Sequence, residues 1–214
     1  MARTALFGGS FNPIHYGHLL LAEDVRERLA LARVVFMPAG VPPHKPAVEI
    51  APAADRYAMV RLAIEGHPPF EASDLELRRR GPSYTVDTLE ALGLPASELF
   101  LVIGSETFLD LLSWHEPQRL PALCRLVVIP RAGSSFDPDS AATRKVVREI
   151  GADGIVRVDN GVPERGVLVL HATSLPLSAS DIRARVAAGR SLAYRVPPAV
   201  ADYIARHGLY GRAA

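Results

Sequence analysis

Cysteine occurs once in these 214 residues, at Cys124. A single cysteine excludes an intramolecular disulfide and a cysteine-only zinc site, and it suits a reducing cytoplasm. Its setting, "LPALCRLVVIP", is apolar and predicts a buried, inert thiol. Lysine is scarce as well, at Lys45 and Lys145 only, so nearly every basic residue is arginine. The formal net charge is +1 with no basic stripe, which gives a nucleic acid nothing to hold. No apolar run approaches the roughly 18 residues of a membrane span, and the first residues lack the basic-then-apolar pattern of a secretion signal. These absences lead to the expectation of a cytoplasmic protein with neither a membrane nor a nucleic-acid partner.

What is present is ordinary globular material, 49% hydrophobic and 22% charged, in a length that suits one domain over residues 1–214. Short apolar runs at 4–7, 33–38, 99–104, 125–130 and 166–172 read as buried strands. Near-continuous apolar strands belong to a parallel sheet covered on both faces. Between them lie stretches of helical spacing. Leu19, Ala22, Val25 and Leu29 line one, and Tyr57, Val60, Arg61 and Ile64 lie within a second. "YTVDTLEAL" and "AATRKVVREI" supply two more. The alternation predicts an α/β, doubly wound, Rossmann-like parallel sheet with helices on both faces. The tail differs: "SASDIRARVAAG", with a serine N-cap, and "VPPAVADYIARHGLY", starting at Pro197 or Pro198, predict a C-terminal helical cap.

The connection after the first strand, "GGSFNPIHYGH", is richer than a turn requires. In open α/β sheets ligands sit beyond the carboxyl ends of strands. Gly8 and Gly9 let backbone approach a ligand, and a helix N-terminus adds N–H groups suited to phosphate. His15 and His18, three apart, can turn toward one pocket. The same glycines would also serve a plain turn. The histidines would serve a solvated first turn, or half a metal site for which only Glu23 and Asp24 stand nearby. The dinucleotide pattern G-x-G-x-x-G is not here, so phosphate binding is favoured over hydride transfer.

This loop resembles the H-x-G-H signature of the nucleotidyltransferase superfamily, and "LPLSASDIRARV" resembles that superfamily's I-S-S-T-x-I-R motif. "PAGVPPHKP", "SYTVDTL", "IGSETFLDLLSWH" and "YRVPPAVADYIARHGLY" look like the bacterial nicotinate-nucleotide adenylyltransferase family, and the likeness runs over essentially the whole chain. The resemblance implies an enzyme of NAD biosynthesis. Nicotinate mononucleotide would attack the ATP α-phosphate in line, giving nicotinate adenine dinucleotide and pyrophosphate. Such a transfer needs alignment and charge neutralisation more than a covalent partner.

By the same resemblance His15, His18, Lys45 and Arg183 are the catalytic candidates. ATP would be held by Gly8, Gly9, Ser10, Phe11, His15, His18, Gly104, Glu106, Ser178, Ser180 and Arg183. Nicotinate mononucleotide would be held by His44, Lys45, Tyr84, Thr85, Trp114 and Arg131, with Trp114 stacking on the pyridine ring. Magnesium is implied as the companion of ATP, with no carboxylate cluster marking a dedicated metal site. A homo-oligomer is compatible with the sequence.

Three positions depart from the family pattern. Asn12 stands where many relatives carry aspartate, Glu106 stands where aspartate is usual, and Ala179 replaces a motif serine. The alternatives are adenylyl transfer to nicotinamide mononucleotide, phosphopantetheine or another phosphate, or a catalytically silent nucleotide sensor.

Overall fold

In a computed structural model, residues 2–41, 50–131, 133–158, 163 and 165–211 are described. In chain order the first half contains β1 (Thr4–Gly9), α1 (Tyr16–Arg28), β2 (Arg33–Pro38), α2 (Ala53–Ile64), β3 (Phe70–Ala72), α3 (Leu75–Arg78) and α4 (Thr85–Leu92). Then come β4 (Leu99–Gly104), α5 (Ser105–Leu109), α6 (Leu120–Leu123), β5 (Arg125–Ile129), α7 (Ala141–Glu149), β6 (Ile155–Arg157), β7 (Val167–Val169), α8 (Ala179–Ala187) and α9 (Pro198–Arg206). The strands form a seven-stranded sheet in the order β3-β2-β1-β4-β5-β7-β6, and every pairing is parallel. This is the doubly wound α/β fold that the alternation predicts.

Strand β4 shows why the sheet is covered twice. All five residues from Leu99 to Ile103 are buried. Phe100 and Val102 join one core with α1, α2, α8 and α9, whereas Leu99, Leu101 and Ile103 join the other with α4, α5, α6 and α7. Successive side chains point to opposite faces, so a strand between two layers must be apolar throughout. Each such side chain contributes about 1.5–3 kcal/mol when fully buried. Cys124 lies in the second core, and burial pushes its thiol up to about 12, which makes it inert.

The chain leaves β1 toward β2 on one side and returns to pair β4 on the other, so the sheet order reverses between β1 and β4. The carboxyl ends of these two strands, Gly9 and Gly104, flank that reversal, where α/β sheets open a crevice. Ser178 caps α8 by accepting from the Asp181 N–H at 3.0 Å, and α9 begins at Pro198.

Several boundaries differ from the sequence reading. Strand β1 runs on through both glycines, pairing Gly8 with Met37 and Gly9 with Pro38, so these residues end the strand rather than start the loop. Strand β7 keeps only three of the seven residues expected. Strands β3 and β6, three residues each at the two sheet edges, are additions to the expected set. In α2 the buried stripe is Arg56, Met59, Val60 and Ile64, while Arg61 is exposed. None of the helices is long and apolar enough to cross a membrane, among the described residues.

Candidate functional site

The site grows out of the residues between β1 and the body of α1. Phe11 has a left-handed backbone (φ 42°) that costs a side chain about 1–2 kcal/mol. Its ring is 2% exposed, edge-on to Phe7 at 5.7 Å and beside Phe36 at 5.8 Å, and that burial offsets the strain. Phe11 is therefore a plug beneath the loop. The space beside Gly9 belongs to this ring, 3.3 Å from where a Cβ would sit, while Gly8 has open space.

Asn12 is the hub of the loop. Its side-chain oxygen accepts from the Ala51 N–H at 3.1 Å and from the Tyr210 hydroxyl at 2.8 Å. Its backbone carbonyl accepts from Arg183 Nη1 at 2.9 Å, across 171 residues. Arg183 Nη2 also donates to Ser180 Oγ at 3.2 Å. Both motif serines are thus engaged by their own helix, Ser178 as the cap and Ser180 as the rest for Arg183. Each hydroxyl keeps its proton to donate.

His15 and His18 stack with ring centroids 3.7 Å apart and planes inclined at 26°. A Cβ on Gly17 would stand 3.0 Å from His15 Nδ1, so a larger residue between them would press on this stack. The His15 backbone N–H donates to His18 Nδ1 at 3.2 Å. An accepting Nδ1 leaves the proton of a neutral ring on Nε2, so His18 presents an N–H donor. Phe11 and Phe7 stand edge-on to that ring at 5.2 Å and 6.1 Å and fix its plane. The first turn of α1 contains no acid, so the positive end of a 13-residue helix is not offset there.

Burial pulls the His15 ring down from 6.5 to about 4, and His18 also lies well below its ordinary value through burial, with the neighbouring His15 and Arg131 charges adding to it. Both rings are neutral at neutral pH. Between pH 6.5 and 4 the unfolded chain binds more protons at His15 than the folded one does, so stability rises with pH there. The contribution is complete above 6.5 and is lost as pH falls toward 4. Across that window it is on the order of 3 kcal/mol. His15→Gln should therefore flatten the acid-side decline in melting temperature of the ligand-free protein. An unchanged slope would show that the ring is not held neutral.

Arg131, expected at the pyridine mononucleotide, stands beside Glu106, expected at ATP. Its Nε is 3.5 Å from Glu106 Oε2, and its charge is felt at His18. Gly104 and Glu106 begin α5 at the end of β4. On the far side, Tyr84 precedes Thr85, the first residue of α4, at a helix start without a side-chain cap. The Tyr84 ring stacks on His115 at 4.3 Å, beside Trp114, which packs half-buried on the second core. Segments 84–85 and 114–115 thus meet, and His115 is an addition to the expected set. His44 and Lys45 lie outside the described residues.

Three further features of the site escape a sequence reading: Arg56, Tyr210 and the hub role of Asn12. Arg56 alone leaves a signal, standing three and four residues before the buried Met59 and Val60. Among the described residues no group of three or more histidine, cysteine, aspartate or glutamate side chains comes together as a metal cage. A cavity of about 660 Å³ opens at the opposite, amino-terminal ends of the strands. It mixes Arg125, Arg148 and Arg165 with Glu149 and Asp153, and this mixed charge does not suit a triphosphate.

The sequence pattern of the cytidylyltransferase-like family matches residues 6–185. A protein of Thermus thermophilus, described as a probable nicotinate-nucleotide adenylyltransferase, is 46% identical over 97% of this chain and 99% of its own. One of the same description from Thermomicrobium roseum is 43% identical over 98% of this chain and 92% of its own. The solved structure of Plasmodium falciparum nicotinic acid mononucleotide adenylyltransferase, complexed with NaAD, superposes with a TM-score of 0.71 at 17% identity, covering 98% of each chain. That likeness concerns the fold.

Proposed function

The chain belongs to the nicotinate-nucleotide adenylyltransferase family, within the cytidylyltransferase-like group, and from this premise we propose that it joins ATP to nicotinate mononucleotide in NAD biosynthesis. What supports this reading most is the pairing of a donor-oriented His18 at the head of α1 with Arg183, delivered to the same loop by α8.

A phosphate oxygen of nicotinate mononucleotide would attack the ATP α-phosphorus. A new P–O bond forms, the bond from the α-phosphorus to the bridging oxygen breaks, and pyrophosphate leaves. The attacking phosphate is already an anion, so no general base is needed. The chain's task is to hold two anions in line and to meet charge as it builds. His18 Nε2 would donate to the α-phosphate. His15, Ser10 and the Gly8–Gly9 backbone would line the same phosphates, and Arg183 would draw on the departing pyrophosphate with the N–H groups that Asn12 and Ser180 leave over.

Magnesium would arrive on the triphosphate and supply charge neutralisation there. The donor set fits an ion carried by its substrate, and no protein ligand is assigned to it. For the pyridine half, the start of α4 at Thr85 suits a carboxylate, and Trp114, with the Tyr84–His115 stack near it, suits a flat ring. His44 and Lys45 complete the proposed set from sequence alone. A cytoplasmic setting goes with this reading.

The test is pyrophosphate release with ATP and magnesium, comparing nicotinate mononucleotide, nicotinamide mononucleotide and phosphopantetheine as acceptors. Because a charged group binding at a built site is lost in the amide, kcat/KM should favour the nicotinate form by roughly 10²-fold. Preference for another acceptor would keep the chemistry and move the substrate. Tight ATP binding without release from any acceptor would instead make the chain a nucleotide sensor.

A further inference from the structure

Arg56 belongs to none of the motifs above, yet among the described residues it is the largest of the fully buried side chains, 1% exposed. Among the described residues no carboxylate hydrogen-bonds to it. Its guanidinium is spent on backbone carbonyls: Nε donates to Ala51 at 2.9 Å, Nη1 to Ser10 at 2.9 Å, and Nη2 to Ala39 at 2.6 Å and Gly40 at 3.3 Å. Burying a cation costs several kcal/mol unless every donor is satisfied, so such a residue persists where its geometry is needed. Here the four acceptors come from three separate segments: the phosphate loop, the exit from β2 and the entry to α2.

One of those segments continues to the other half of the site. The Gly40 N–H donates to Ser83 Oγ at 3.2 Å, and the Val41 N–H to the same oxygen at 3.3 Å. Ser83 immediately precedes Tyr84 and Thr85. The backbones approach so closely here that only glycine fits, since a Cβ on Gly40 would overlap the Glu76 carbonyl oxygen. A continuous path therefore runs from Ser10 through Arg56 and Gly40 to Ser83, joining the loop proposed for ATP phosphate to the segment proposed for the pyridine mononucleotide.

We propose that Arg56 is a positioning residue that sets the spacing between the two substrate sites, so that the acceptor phosphate and the ATP α-phosphorus meet in line. It touches neither substrate. The rigid helix α2 carries it, and the planar fork spans carbonyls that a lysine, with one compact ammonium, cannot reach together. The proposal rests on the adenylyl-transfer reading above.

The test uses Arg56→Lys, which keeps the charge, and Ser83→Ala, which removes the hydroxyl that accepts from the Gly40 and Val41 N–H groups while the Ser83 N–H keeps its bond to the Val41 carbonyl, each assayed beside the wild type well below its melting temperature. Misplacement of reacting groups by a fraction of an ångström to one ångström should lower kcat of Arg56→Lys about 10–100-fold, with KM for both substrates within about threefold. Ser83→Ala should show a smaller loss of the same kind. The double variant should be no slower than Arg56→Lys alone, since both changes break one path. A lowered melting temperature with unchanged kcat would reduce Arg56 to a structural role and overturn the proposal, as would raised KM with unchanged kcat. If Arg56→Lys does not fold, Ser83→Ala decides alone by the same criterion. An inactive wild type would sink the adenylyl-transfer reading and this proposal together, whereas an active wild type with unaltered variants sinks only the role of Arg56.

Discussion

His18→Ala should lower kcat by roughly 10²–10³-fold, the loss typical of one preorganised donor to a developing anion. ATP affinity should fall far less. The ring's two nitrogens are already allotted: Nδ1 accepts from the His15 backbone, which leaves the proton on Nε2. Phe7, Phe11 and His15 hold its plane, so the donor needs no reorganisation when charge builds. A donor fixed in this way gains most where the anion is strongest, in the transition state. Comparison of kcat with the ATP dissociation constant checks it. Equal losses in affinity with turnover intact would move His18 from the reacting centre to ground-state binding.

Arg183→Met should be comparably damaging, with kcat/KM for ATP down on the order of 10³-fold, in the range seen for arginines that neutralise a transferring phosphoryl group. Two of its five N–H groups are engaged, one with the Asn12 carbonyl and one with Ser180. The remainder can meet pyrophosphate. Arg183→Lys should recover part of the loss through its charge but not the fork geometry. If the residue only anchored the loop, Arg183→Met would cost about 1–2 kcal/mol of stability and spare turnover in the folded fraction. Melting curves measured beside the kinetics separate the two roles.

The buried sheet is legible in the sequence because its central strands are apolar without interruption, and no helical reading of "LFLVIG" or "RVVFMP" competes at that length. The edges are not. Strand β3 is "FEA" and β6 is "IVR", and three residues carry no period; only pairing with β2 and β7 makes them strands. In the site, the residues proposed to face substrate are readable as motifs, since phosphate chemistry restricts their types and spacing. The residues that hold those in place are not. Arg56 reads as a polar break in an apolar stripe until the carbonyls it meets are known. Asn12 likewise reads as a turn former until Tyr210 arrives from the other end of the chain. Arg131 pairs with Glu106, and sequence order says nothing of which way a flexible arginine will turn.

The loop that carries both histidines is tied to Tyr210 across 198 residues. Chains are made from the amino end at about 5–20 residues per second, so the loop waits on the order of ten to forty seconds for that tie. During this interval β1 also waits for β4, its neighbour on the side of the crevice. A nascent chain stalled before α8 would bear His15 and His18 but neither Arg183 nor Tyr210. If Arg183 acts as proposed, catalytic competence is thus among the last properties acquired during synthesis, and partial products should not consume ATP.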